Sequence, residues 1–105
     1  MASKVIERFL SYIKVDTRSD ENSTSFPSTE KQKNLAKILY KEMSEMGVSD
    51  VCFDEEFGYV YGRIPANDGG KSSKTVAFIA HMDTAPDISG ECTNPQFVEN
   101  YQGQD

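Results

Sequence analysis

The 105-residue sequence predicts an α/β fold with a mixed sheet and a central buried strand. Two stretches repeat apolar residues at helical spacing, two short β-like stretches flank a turn, and a later stretch is apolar without alternation. Helical spacing places apolar side chains on one face, whereas an unbroken apolar run is typical of a strand covered on both faces. These observations predict two amphipathic helices, a β-hairpin and the central strand.

The first predicted helix spans about residues 4–15. Ser3 is the predicted N-cap, since a serine hydroxyl can accept a hydrogen bond from a backbone N–H of the first turn. Charged and polar residues occupy the face opposite the apolar stripe, as expected of an amphipathic helix. The stripe consists of Val5, Ile6, Phe9, Leu10 and Ile13.

The second predicted helix spans about residues 30–46. Before it, residues 16–27 are rich in Asp, Asn, Ser and Thr without periodicity, which favours an exposed loop over a functional segment. Thr29 and Gln32 have capping-box spacing, and Gly47 is suited to a left-handed C-terminal stop. The predicted buried stripe is Leu35, Ile38, Leu39, Met43 and Met46.

The remaining β elements are a hairpin over about residues 50–64 and the central strand over about residues 75–81. The hairpin is predicted from two β-like stretches separated by residues 55–58. The central strand ends at His81, the one histidine of the chain. In an extended chain His81 and Asp83 leave on the same face, and ligands in α/β sheets bind beyond the carboxyl ends of such strands.

The composition excludes several classes of partner. A net charge of -6 and an isoelectric point of about 4.7 argue against nucleic-acid or anionic-membrane binding, because both require clustered Lys and Arg. No apolar run approaches the roughly 20 residues of a membrane span. We therefore expect a cytoplasmic protein with no nucleic-acid or membrane partner. In that compartment Cys52 and Cys92 are expected to be free thiols.

The covering layers of the central strand are incomplete in this sequence. A strand buried on both faces needs a layer on each side, and two helices with one hairpin supply only part of them. Residues 85–105 contain little apolar periodicity. We therefore expect residues 1–105 to form the N-terminal portion of a larger α/β domain, with no second domain. Uncovered apolar surface then predicts self-association.

The pair His81 and Asp83 is the candidate site for chemistry. An imidazole can bind a metal through one nitrogen while a carboxylate accepts a hydrogen bond from the other, which fixes the tautomer and the ring orientation. The pair has an alternative explanation as a hydrogen-bonded structural histidine. Zinc sites need about three or four protein ligands, and the sequence alone identifies one.

Longer stretches around this pair resemble the family of co-catalytic di-zinc aminopeptidases and carboxypeptidases, and within it the tripeptide aminopeptidases. His-x-Asp is shared across the wider family, whereas two runs are specific to the tripeptide enzymes. These are Asp-Thr-x-Pro-Asp-x-Ser-Gly at 83–90 and Asn-Pro-Gln-x-Val-Glu-Asn-Tyr at 94–101. Asp16-Thr17, residues 27–32 and Glu45-Met46-Gly47 extend the resemblance over nearly the whole chain.

The resemblance implies a role for each residue of the pair. His81 matches the family's first zinc ligand, and Asp83 matches the aspartate of the catalytic set that orients it. The complete enzyme would bind two zinc ions and release the N-terminal residue of a tripeptide by attack of an activated water. The other ligands and the general base have no match in this sequence, so the chain alone is expected to be inactive. The alternative is a binding or regulatory module that keeps the scaffold without catalysis.

Overall fold

A computed structural model describes residues 3–71 and 73–103, and within them the chain forms two helices and a two-stranded antiparallel sheet. This arrangement confirms the α/β class in its coarse form, but the predicted mixed sheet is wrong for the described residues, whose one sheet is antiparallel. Helix α2 packs against both strands and places the small apolar core between helix and sheet. In chain order the elements are α1 (Lys4–Tyr12), α2 (Gln32–Glu45), β1 (Ser49–Phe53) and β2 (Val60–Arg63).

Helix α1 begins where the sequence predicts and ends earlier. The Ser3 hydroxyl accepts a hydrogen bond from the Ile6 amide at 3.3 Å, which confirms the N-cap. The helix ends at Tyr12 rather than near residue 15, and none of its residues is buried. Its apolar stripe is therefore largely uncovered, with Val5 and Phe9 exposed.

Helix α1 is joined to α2 through a polar contact. The Tyr12 hydroxyl donates a hydrogen bond to the Glu42 carboxylate, and Arg8 lies 3.8 Å from the same carboxylate. Partial burial of Tyr12, together with this hydrogen bond, raises the pKa of Tyr12 to about 12. The hydroxyl therefore remains a hydrogen-bond donor throughout the physiological pH range.

Helix α2 begins later than predicted, because Thr29 is used elsewhere. The Thr29 hydroxyl donates to the Arg18 carbonyl at 2.8 Å instead of capping the helix. The C-terminus agrees with the prediction: Gly47 has φ +79°, and its amide and that of Val48 bond to the carbonyls of Ser44 and Met43, as in a Schellman motif.

Helix α2 buries only part of its predicted stripe. Leu35 and Ala36 are buried, whereas Ile38 is partly exposed and Met46 is 60 % exposed. The prediction that Met46 belongs to the buried stripe is therefore wrong. Met46 is the C-cap residue, beyond the part of the helix that covers the sheet.

The hairpin forms as predicted. Strands β1 and β2 pair with Cys52 opposite Tyr61 and Phe53 opposite Val60, and an irregularity between Ser49 and Cys52 interrupts the register. The Asp54 carboxylate closes the turn by accepting hydrogen bonds from the amides of residues 56 and 57, both at 2.9 Å. Gly62 lies close to α2, because a Cβ there would be 2.9 Å from the Met43 methyl carbon.

The predicted central strand is wrong for the described chain. Residues 75–81 have no strand pairing, and Phe78 and Ile79 are 97 % and 94 % exposed. The physical reason is the lack of a neighbouring strand, since backbone N–H and C=O groups in a sheet need partners on adjacent strands. Strands β1 and β2 pair with each other, and their sheet does not extend to residues 75–81.

Two smaller predictions can also be compared with the structure. Cys52 and Cys92 are both free, in agreement with the expectation for the thiols. Neither α1 nor α2 has the length and hydropathy needed to cross a membrane.

Candidate functional site

The side chains of His81 and Asp83 are in contact. His81 Nδ1 lies 3.1 Å from Asp83 Oδ1, a hydrogen-bond distance. The His81 side chain is 85 % exposed and that of Asp83 is 47 % exposed. With the proton on Nδ1, the imidazole donates to the carboxylate and leaves the lone pair of Nε2 available for a metal ion. The spacing of His81 and Asp83 predicts that their side chains leave on the same face, and in the structure the two side chains are close enough for a hydrogen bond.

This donor set fits one ligand of a metal site. A neutral imidazole oriented by a carboxylate is the usual outer-shell arrangement around a zinc-bound histidine. Within residues 3–71 and 73–103, however, no group of three or more His, Cys, Asp or Glu side chains is placed to hold a metal ion. The described residues therefore provide one metal ligand with its supporting carboxylate.

The chain directly after Asp83 is attached to the loop that follows α1. The Thr84 amide donates to the Thr17 carbonyl at 3.1 Å, and the Ser19 amide donates to the Thr84 carbonyl at 2.9 Å. This exchange forms a parallel bridge between Arg18 and Thr84. The Ser19 hydroxyl also donates to the Thr84 carbonyl, at 2.8 Å, so three hydrogen bonds join Thr84 to the loop.

Asp16 holds this loop in shape. Its carboxylate accepts a hydrogen bond from the Arg18 amide at 3.0 Å and pairs with Lys31 Nζ at 2.8 Å. The hydrogen bond from Lys31, followed by that from the Arg18 amide, lowers the pKa of Asp16 below its usual 3.8. Thr17 is only 2 % exposed, so the prediction of a solvated loop is wrong at this position. The bridge to Thr84 covers it.

Gly90 packs closely against the site where Thr84 is attached to the loop, and a side chain would not fit at this position. A Cβ at this position would lie 2.7 Å from Asp16 Oδ1, 2.7 Å from Thr84 Oγ1 and 2.8 Å from the Arg18 amide nitrogen. Real Cβ atoms do not approach other heavy atoms so closely. We call the assembly of residues 16–19, Thr84 and Gly90 the clasp.

The clasp is expected to weaken in acid. The lowered pKa of Asp16 stabilises the folded chain above the usual value of 3.8, and this contribution is lost as the pH falls through the lower folded-state pKa. The amide proton shift of Arg18, followed by NMR, should therefore titrate with a midpoint below pH 3.8. In Asp16→Asn the change should disappear.

Glu30→Gln is the matched control for this titration. It removes a comparable contact, the 2.9 Å pair between Lys33 and Glu30, outside the clasp. The Arg18 amide should titrate in this variant as in the unaltered chain. Titration of the Arg18 amide at or above the ordinary carboxylate pKa would contradict the assignment to Asp16.

The comparison with known proteins covers nearly the whole chain. No protein-family model matches this chain, whereas individual proteins match nearly all of it. Peptidase T of Clostridium acetobutylicum is 55 % identical over 102 residues, which are 97 % of this chain and 24 % of the relative. The sequence is homologous to peptidase T. Peptidase T of Bacillus pumilus is 50 % identical over 105 residues, 100 % of this chain and 25 % of that protein. This chain therefore spans about a quarter of the length of the peptidase T relatives it matches.

The resemblance to peptidase T also contains a signal for the clasp. Asp16-Thr17 and Ser89-Gly90 both belong to the stretches on which the resemblance rests. Composition alone favours a solvated loop at residues 16–27 and shows little apolar periodicity at residues 85–105. The resemblance therefore marks both stretches, Asp16-Thr17 and Ser89-Gly90, as candidates. That they contact each other is visible only in the tertiary structure.

Proposed function

We propose that this chain is part of the catalytic domain of a zinc-dependent tripeptide aminopeptidase, to which it contributes His81 and Asp83. The observation that carries the proposal is the 3.1 Å contact between His81 Nδ1 and Asp83 Oδ1 within a sequence homologous to peptidase T. The name of these relatives supports a peptide substrate. The tripeptide and the position of cleavage, the first peptide bond, follow from the resemblance to the tripeptide aminopeptidases.

In this proposal each residue has a separate task. His81 binds one of two zinc ions through Nε2, and Asp83 keeps the proton on Nδ1 and fixes the plane of the ring. When bound, two zinc ions supply an activated water and polarise the carbonyl of the scissile bond. Asp83 therefore acts on the reaction through the ligand that it orients.

The remaining ligands and the general base are proposed to come from other parts of the catalytic domain, of which residues 1–105 form the N-terminal portion. No second domain is assigned to these residues. A single exposed imidazole cannot hold two ions in register, since zinc sites use about three or four protein ligands. We place the protein in the cytoplasm because free thiols suit a reducing compartment.

The 105-residue chain alone should bind zinc weakly and leave tripeptides uncleaved. Isothermal titration with zinc should give weak binding that disappears in His81→Ala and persists in Lys71→Ala, a change in an exposed loop residue. Incubation with a tripeptide and zinc should release no amino acid. The reason is that the described residues offer one ligand where catalysis needs a complete site.

Two results would contradict this account. Tripeptide hydrolysis by the purified chain that depends on His81 would show that the missing ligands are not needed. Tight stoichiometric zinc binding that depends on His81, without hydrolysis, would indicate a binding or regulatory module with ligands recruited from a second copy.

A further inference from the structure

His81 has little structural support of its own. Its side chain is 85 % exposed, and the contact that orients it is the hydrogen bond with Asp83. An exposed imidazole with a single partner can rotate about its side-chain bonds unless that partner is fixed. The orientation of His81 therefore depends on how firmly Asp83 is held.

Asp83 is held through the next residue. Both backbone polar groups of Thr84 are engaged by the loop, the amide with Thr17 and the carbonyl with Ser19. The bonds between Ser19 and Thr84 join positions that are 65 residues apart in the sequence. They fix the backbone immediately after Asp83, and hence the direction in which the Asp83 side chain leaves the chain.

The loop that holds Thr84 is itself connected to α2. Asp16 pairs with Lys31, the N-cap residue of that helix, and the Arg18 carbonyl accepts from the Thr29 hydroxyl. Gln32, which is buried, donates to the Thr29 hydroxyl oxygen at 3.0 Å. A continuous set of polar contacts therefore runs from the start of α2 through the clasp to Thr84.

We propose that the clasp positions Asp83 and, through it, His81, so that the imidazole carries its proton on Nδ1 and presents Nε2 to the metal. Asp16 and Gly90 are positioning residues in this arrangement. Asp16 shapes the loop that receives Thr84, and Gly90 leaves the space in which the Asp16 carboxylate, the Thr84 hydroxyl and the Arg18 amide meet. The inference rests on the proposed zinc role of His81 and extends it to residues remote in sequence.

The test uses Gly90→Ala in the 105-residue chain, compared with Gly62→Ala. Gly62 is another crowded glycine and lies outside the clasp, and a Cβ at Gly62 would be 2.7 Å from Val48 Cγ1 and 2.9 Å from the Met43 methyl carbon. NMR of the ¹⁵N-labelled imidazole without metal reports which nitrogen carries the proton. Titration with zinc alone reports the affinity of Nε2, and amide hydrogen exchange of Ser19 and Thr84 reports whether the clasp is closed.

We expect the Nδ1-protonated tautomer to predominate in the unaltered chain and in Gly62→Ala. In Gly90→Ala the Ser19 and Thr84 amides should exchange faster, the tautomer should shift toward protonation on Nε2, and zinc should bind about 10-fold more weakly, as for lost outer-shell partners. An unchanged tautomer and zinc affinity despite faster exchange would overturn the positioning role. An equal effect in Gly62→Ala would also overturn it, because the cause would then be general destabilisation.

Failure of the proposed function gives a different result. If zinc leaves the His81 ring unaffected in the unaltered chain, the metal role is wrong, while the tautomer shift still decides whether the clasp orients the ring. If Gly90→Ala does not fold, Asp16→Asn replaces it, with Glu30→Gln as its control. Asp16→Asn should shift the tautomer in the same direction, and an unchanged tautomer in that variant would reject the proposal.

Discussion

Replacing His81 by alanine is expected to abolish tripeptide hydrolysis in a chimera that carries this segment in place of the matching quarter of Clostridium acetobutylicum peptidase T. The two proteins are 55 % identical over 102 residues, so the segment should fit the rest of the relative. Removal of the imidazole deletes the metal ligand proposed in this segment, and the described residues hold no group of three or more His, Cys, Asp or Glu side chains placed to bind a metal. The chimera should also lose bound zinc.

Asp83→Asn should have a smaller effect in the same chimera. The amide oxygen can still accept a hydrogen bond from His81 Nδ1, but the negative charge that makes the imidazole more basic is lost. Loss of an outer-shell partner typically costs about 10–100-fold in metal affinity or activity. The order of activity should therefore be unaltered chimera, then Asp83→Asn, then His81→Ala.

The control for both variants is Glu91→Gln, which removes an exposed carboxylate from the same segment. Its kcat/KM and zinc content should equal those of the unaltered chimera. Full activity in His81→Ala would exclude this residue as a zinc ligand. Equal losses in Glu91→Gln and Asp83→Asn would mean that the segment tolerates no charge change, and the orienting role of Asp83 would lose its support.

Features of the fold that depend on neighbouring residues could be predicted from the sequence. The N-cap at Ser3 and the helix stop at Gly47 require only residues within a few positions of one another, and the hairpin joins two strands that are adjacent in the sequence. The contact between His81 and Asp83 belongs to the same class, since two residues separated by one can interact directly. Local patterns therefore identified both the elements and the candidate ligand pair.

Features that depend on distant partners could not be predicted in this way. The apolar run at 75–81 has the composition of a buried strand, but a strand also requires neighbours, and β1 and β2 pair only with each other. Thr17 lies in a polar stretch and is nevertheless buried, and its carbonyl accepts a hydrogen bond from the Thr84 amide, which is distant in the sequence. In both cases the structure depends on whether a partner from a distant part of the sequence is present, and local patterns do not report this.

The same exposed run leads to the second large effect, self-association of the 105-residue chain. Residues 75–80 are uncharged, lack Gly and Pro, and include Val76, Phe78 and Ile79 with most of their surface exposed. Unpaired β-prone segments of this kind pair with other chains. We expect sedimentation to show species larger than the 11.7 kDa monomer, in amounts that increase with concentration.

Phe78→Lys should strongly reduce this association. Burial of a phenylalanine side chain contributes roughly 1.5–3 kcal/mol, which corresponds to about a 10- to 100-fold change in the association constant. The lysine charge within the paired segment should lower the association constant further. Phe26→Lys is the matched control, because Phe26 is also exposed but lies in the polar loop before α2.

The control should associate as the unaltered chain does, because its aromatic ring is outside the pairing segment. Equal dissociation by both lysine variants would show that added charge, rather than the run at 75–80, controls association. A chain that sediments as a monomer at every concentration would mean that an exposed, uncharged run of six residues, four of them of high β-propensity, is tolerated in water. The expectation that this run requires a covering layer would then be wrong, together with the view that residues 1–105 are part of a larger domain.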